Sequence, residues 1–179
     1  MKQFLYTVSV ILAAALLALV ITGLFVDEVR YTATARVKAP VADSWTTFLD
    51  PGRQALWQRN LEHMEAIDGQ LFDLGASFRM EFVNGNSRLE TVTSIIPMEE
   101  YRAEIETERY SGYRSVTFQT LGEGSRIQQT IVMHGSSFIS RAILPVIRPL
   151  MQRDQMAAFD NLADLIEASP SIDPQQGYE

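Results

Sequence analysis

The sequence predicts an α+β domain, a run of antiparallel strands closed by a long C-terminal helix, carried on a single apolar N-terminal helix. Three observations lead there. Phe4 to Val26 reads FLYTVSVILAAALLALVITGLFV, with neither a charge nor a proline. From Val29 to His134 apolar and polar residues alternate in short runs separated by turn signals at hairpin spacing. After Gly135-Ser136-Ser137 the apolar residues change to a helical period, through Ala142, Val146 and Leu150 to Met156, Phe159, Leu162, Leu165 and Ile166.

The apolar run comes first. At about 1.5 Å per residue, roughly 23 helical residues cover about 34 Å, enough to cross a hydrocarbon core of about 30 Å. A buried core helix of this length normally shows a polar stripe, and Thr7, Ser9 and Thr22 are too few and too weak to make one. A cleaved signal peptide has an apolar region of about 7–15 residues and a small-residue cleavage site. Here the exit is Leu24-Phe25-Val26-Asp27-Glu28, and the nearest A-x-A pattern, Ala33-Thr34-Ala35, lies beyond three charges inside the first strand. The run is read as an uncleaved anchor, residues 1–27, contacting the bilayer through Phe4–Val26. Lys2 and the terminal amine precede it, which favours a cytoplasmic N-terminus and a domain on the far side, as in a single-pass protein of a bacterial inner membrane.

The rest is the size of one domain. The 179-residue chain carries a net charge of −7 and has no basic cluster, so nucleic acid is not an expected partner. It has no cysteine, which excludes a thiol nucleophile, a thiolate metal site and a disulfide framework. Its two histidines, His63 and His134, stand alone, without the spacing of a zinc site. There is no phosphate-binding loop, dinucleotide fingerprint or nucleophile elbow, so neither a metal nor a cofactor is expected.

Within the domain, Val29, Tyr31, Ala33, Ala35 and Val37 alternate with Arg30, Thr32, Thr34 and Arg36, a half-buried strand. It begins within about two residues of the anchor, which holds the domain against the bilayer surface. Ala39-Pro40-Val41 opens a helix with Val41, Trp45, Phe48 and Leu49 on one face, and Asp50-Pro51-Gly52 ends it. A second short helix carries Leu56 and Trp57. Six strands are then expected: Leu61–Ile67, Ser77–Val83, Arg88–Ile96, Tyr101–Arg109, Tyr113–Thr120 and Arg126–His134. Pro145 and Pro149 each remove a backbone donor, so Phe138–Pro149 is expected as a separate short helix or a kinked lead-in, and the last helix from about Leu150 to Ala168. Residues 169–179 have the composition of a disordered tail.

This order, with the local pattern Ala33-Arg-Val-Lys-Ala-Pro-Val-Ala-Asp-Ser-Trp45, the pair Leu49-Asp50-Pro51 and Trp57, Ile96-Pro97, the Gly-Ser-Arg-Ile entry to the last strand and Phe159-Asp-Asn-Leu162, resembles the START-like (SRPBCC) superfamily. That superfamily includes polyketide cyclase/dehydrase-like proteins and lipid-transfer domains. The resemblance covers residues 28–168. It implies the helix-grip fold, a curved seven-stranded antiparallel sheet around a long C-terminal helix with a largely apolar cavity between them. It also implies binding, transport or transformation of a hydrophobic small molecule.

The residues expected at such a cavity are Trp45, Trp57, Phe78, Met80, Phe82, Ile105, Met133, Met151 and Phe159, with methionines as adaptable filler and Gln129 as a polar group that orients a ligand. Each of these apolar residues also reads as plain core. Arg141, Pro145, Arg148 and Pro149 fall where the resemblance places the entrance, and read either as a gate or as a connector. The carboxylates Glu104, Glu106 and Glu108, two apart, read as a solvated strand face. For acid–base catalysis only His134 and Glu81 stand out, and neither has a partner in sequence. The expected function is membrane-anchored binding of an apolar small molecule or lipid. The alternatives are an enzyme of the cyclase/dehydratase kind, and a structural or interaction module at the membrane whose protein partners the sequence does not name.

Overall fold

The computed structural model describes residues 2–169; the expected tail lies outside that range, apart from Ser169. The helix α1 (Lys2–Phe25) leads into β1 (Val29–Val37), α2 (Val41–Leu49), a single 3-10 turn at Pro51–Arg53 and α3 (Gln54–Trp57). Six strands follow, β2 (Leu61–Asp68), β3 (Ser77–Phe82), β4 (Ser87–Ile96), β5 (Glu100–Glu106), β6 (Tyr110–Leu121) and β7 (Gly124–Gly135), and then α4 (Phe138–Ala168). All neighbouring strands pair antiparallel in one seven-stranded sheet of order β1-β7-β6-β5-β4-β3-β2. The meander is therefore consecutive from β2 to β7, and β1 closes onto its last strand.

Burial follows the alternation. In β1 the residues Val29, Tyr31, Ala33, Ala35 and Val37 are buried; in β5 Tyr101, Ala103 and Ile105 are buried between exposed Arg102, Glu104 and Glu106. The inner faces of the strands, α2, α3 and the second half of α4 enclose the larger core, which contains Phe48, Trp57, Phe78, Met80, Val92, Tyr101, Val116, Phe118, Ile127, Phe159 and Leu162. A second, smaller core forms at the end nearer α1, from Val29, Tyr31, Ile105, Ile131, Met133 and Leu144, with Val26, Tyr110, Ile147 and Met151 packed on it.

Two expectations need correction. Phe138–Pro149 and the last helix are not separate: α4 runs unbroken through Pro145 and Pro149. Ala142 and Leu144 are both buried, Leu144 in the smaller core against the sheet, so packing holds the helix across the two missing donors. The fourth meander strand stops at Glu106 instead of Arg109, because the Thr107 hydroxyl oxygen accepts from the backbone N–H groups of Arg109 and Tyr110, at 3.3 and 3.1 Å, and turns the chain. The next strand consequently starts at Tyr110.

Helix α1 is long and apolar enough to cross a membrane, and nearly all of its described side chains are exposed. Its C-terminal end packs against the start of α4, where Gly23 faces Phe138 so closely that a β-carbon there would come within 2.8 Å of the ring. Gly23→Leu is expected to push the two helices apart at this crossing. Disulfide trapping between cysteines placed near positions 23 and 138 checks it, being efficient in the parent and lost with leucine next to the crossing.

Candidate ligand-binding site

The inner face of a sheet whose outer face meets water should be apolar, yet here a row of polar side chains crosses it. The register explains the row. Arg114 on β6 lies opposite Ile131 on β7 and Ala103 on β5, while Glu90 on β4 lies opposite Ile105 and Gln129 on β7 lies opposite Val116. Since same-face residues are two apart along a strand, Gln129 and Arg114 are diagonal neighbours on the inner face, and Glu90 lies on the same face across β5 from Arg114. Arg88 continues the row one step along β4. The belt separates the larger core, on one side, from the smaller core near α1 on the other.

Its centre is an ion triad. Glu90 is fully buried, with one carboxylate oxygen 2.7 Å from Nη2 of Arg88 and the other 2.9 Å from Nη2 of Arg114. The Arg114 side chain is 2 % exposed and the Arg88 side chain 14 %. Arg114 lies against two aromatic faces, its Cζ 5.2 Å from the Tyr101 ring centre and 5.7 Å from that of Phe48. Arg88 marks the route outward: its Cζ is 5.4 Å from the Phe82 ring centre, and Nη2 reaches Met80 Sδ at 3.0 Å and Gln58 Oε1 at 3.5 Å. Gln58 donates in turn to Gln54, which donates to the Phe48 carbonyl at the end of α2.

Burial opposes the charge on Arg114, but Glu90 and Tyr101 more than offset it, and its pKa rises further. The same burial raises both inner phenols. Tyr101 is pushed up to about 12 by desolvation, which Arg114 opposes and Glu90 reinforces. Tyr31 is raised by burial and by Tyr110, against a lowering influence of Arg88. A raised phenol pKa favours the folded state fully below the unfolded value of 10.0, and the gain is lost as pH climbs through the folded value. The phenolate absorbance of Tyr31 and Tyr101 is therefore expected to emerge only above pH 10, together with unfolding, and Tyr101→Phe to remove one such late-titrating group. Ordinary titration of both phenols in the folded chain would contradict this.

Polar satisfaction in the belt is incomplete. Both side-chain polar atoms of Gln129, the Tyr101 hydroxyl, Nε of Arg88, and Nε and Nη2 of Arg114 are buried without an aligned hydrogen bond among the described residues. The two ion pairs are short in distance, yet neither carboxylate oxygen of Glu90 receives an aligned N–H.

The residues expected at a cavity divide between the two cores. Trp57, Phe78, Met80 and Phe159 are buried in the larger one, with Trp45 and Phe82 half-buried on its rim. Ile105, Met133 and Met151 belong to the smaller one, and Gln129 lies between the two. Of the entrance residues, Arg141 and Pro145 are half-buried and Arg148 and Pro149 exposed. Pro145 and Arg148 line a shallow concavity of about 280 Å³ with Val26, Glu28, Val29 and Arg30, where α1 joins the domain. The larger concavity, about 610 Å³ and open, lies on the outer face of the sheet among Thr91, Arg102, Glu104, Glu106, Tyr113 and His134.

Neither residue considered for acid–base work faces inward. His134 is exposed, its Nδ1 3.1 Å from the Asp27 carbonyl, and Glu81 is exposed on β3. Reading the sequence missed Glu90, Arg88, Arg114, Tyr31 and Tyr101 as a group. The signal was there in the phase of alternation, since Arg88 and Glu90 share the parity of buried Val92, and Arg114 that of Val116 and Phe118.

A sequence model for polyketide cyclase/dehydrase and lipid transport proteins matches residues 28–167. The chain belongs to that family. Among solved structures, a protein of Thermus thermophilus superposes with a TM-score of 0.67 at 17 % identity, over 80 % of this chain and 100 % of that one. A Chromobacterium violaceum protein gives 0.60 at 20 %, covering 80 % and 99 %. Norcoclaurine synthase from Thalictrum flavum, solved with dopamine and hydroxybenzaldehyde, gives 0.62 at 17 %, covering 84 % and 93 %. At these identities the likeness establishes the shared α+β architecture of the polyketide cyclase/dehydrase and lipid transport family member, a seven-stranded antiparallel sheet with a long C-terminal helix. No curated protein matches the chain.

Proposed function

We propose that this family member binds an apolar small molecule or lipid between its sheet and α4, at the surface of a membrane to which α1 anchors it. The observation that carries the reading is the divided interior: a smaller apolar core with two methionines, Met133 and Met151, next to the anchor, set apart from the main core by a polar belt. Methionine side chains repack around guests at low cost. The side chains here are packed, so entry requires the first half of α4 to move. That half has two prolines and so two fewer helix hydrogen bonds, which supports a gate at Arg141, Pro145, Arg148 and Pro149. It also exposes Ile139, Ile143, Val146 and Leu150, which at helical spacing form one apolar stripe beside α1. An apolar stripe continuous with an apolar helix supports contact with the bilayer, and hence a ligand drawn from it.

Catalysis is the weaker reading. A base in such a site would be a carboxylate–histidine pair within hydrogen-bond reach, whereas the buried carboxylate is held by two arginines and both histidines are exposed.

Native mass spectrometry of the full chain, released gently from detergent, is expected to show a bound apolar mass; a bare chain under all conditions that preserve the fold would count against the proposal. For the anchor, the chain is expected to stay with membranes through alkaline carbonate extraction, and a C-terminal reporter to be active only outside the cytoplasm. Release by salt alone would remove the anchor from the account.

A further inference from the structure

We infer that the belt is a headgroup site for a carboxylate, so that the ligand is an amphipathic acid with its tail in the smaller core. The inference rests on the proposed binding of an apolar molecule and names its chemistry. Two guanidinium groups, Arg114 buried and Arg88 partly exposed at the rim, face one carboxylate, which leaves the belt with an excess of positive charge. Leaving a buried charge unpaired is costly, and a ligand anion relieves that cost.

The unused hydrogen-bonding capacity points the same way. Nε of Arg88, Nε and Nη2 of Arg114, Nε2 of Gln129 and the Tyr101 hydroxyl are all donors without an aligned partner among the described residues. The unused acceptors, the two Glu90 oxygens and Oε1 of Gln129, are fewer. A ligand group rich in acceptors and poor in donors fits that surplus, and a planar carboxylate matches the guanidinium fork. Arg88, the partly exposed member, stands at the rim beside Gln58 and Phe82 and meets the headgroup first.

The test uses the full chain in phosphatidylcholine nanodiscs, with cis-parinaric acid and its methyl ester as probes. The chain's two tryptophans, Trp45 and Trp57, both lie in the domain, so saturable energy transfer from them reports binding there. The acid is expected to bind about tenfold more tightly than the ester, since a charge-assisted bidentate contact is lost on esterification. Arg88→Met and Gln129→Leu should each bring the acid's affinity down toward the ester's. Gln129→Leu removes no hydrogen bond from the described structure and so keeps the test valid if Arg88→Met does not fold. Glu104→Gln, in the outer concavity, should leave the acid preference intact.

Equal affinities for acid and ester in the unaltered chain would overturn the headgroup site while leaving apolar binding in place. So would loss of the acid preference in Glu104→Gln, by moving the site to the outer face. No saturable transfer from either probe would overturn the binding proposal itself, and the headgroup site with it.

Discussion

Glu90→Ala is expected to destabilise the domain by about 3–5 kcal/mol, the scale seen when one partner of a buried ion pair is deleted and the other is left without compensation. Here two partners are affected. Arg114 is almost fully buried and has no route to water, so its charge would face only Tyr101 and Phe48. Arg88 retains a partial exit past Phe82, which limits its share of the loss. Denaturant unfolding of the detergent-solubilised chain measures the effect. Replacing the whole triad, with Arg88→Met, Glu90→Leu and Arg114→Met together, is expected to recover much of the stability, because well-packed apolar residues are often at least as stable as a buried ion pair. If the single substitution costs less than about 1 kcal/mol, the ions are not buried together as described.

The second large effect is expected at Phe48. Its ring meets Trp57, Tyr101 and Phe118 at centroid distances of 5.7, 5.5 and 5.5 Å, and Arg114 lies over its face. It joins α2 to both α3 and the sheet, and it is completely buried. Phe48→Ala should therefore cost about 3–5 kcal/mol, from lost transfer energy and from a cavity that the surrounding aromatic rings are too rigid to fill. Phe48→Leu should cost less. By contrast, Leu56→Ala, at an exposed position on the short helix carrying Trp57, should change stability by less than about 0.5 kcal/mol.

Much of the fold was legible because its strands have one wet face. The alternation in Val29–Val37 and around Ala103 and Ile105 placed both strand and inner face correctly, and Asp68-Gly69, Asn84-Gly85 and Gly122 marked turns that the backbone makes, with the three glycines at positive φ. α4 was misjudged because proline's local penalty is visible in sequence while the burial of Ala142 and Leu144 that outweighs it is tertiary. The polar belt was hidden for a related reason. Glu90 and Arg114 lie far apart in sequence, on strands β4 and β6 that flank β5, and each alone looks like a surface charge in a strand of mixed pattern. Gln129 was noticed as the polar residue in an apolar strand, and its facing became clear only from the β6–β7 register.

The central claim is that the ligand enters between the sheet and α4, not into the open cleft on the sheet's outer face. Photolabelling of the full chain in nanodiscs with a diazirine-tailed fatty acid, followed by peptide mapping, tests it most directly. Labels on α1 report the bilayer and are expected either way. Adducts on Ile105, Met133 and Met151, competed away by unlabelled acid, are the predicted result. Competable adducts confined to the outer-face residues Thr91, Glu104 and Tyr113, with the inner residues unmarked, would contradict it.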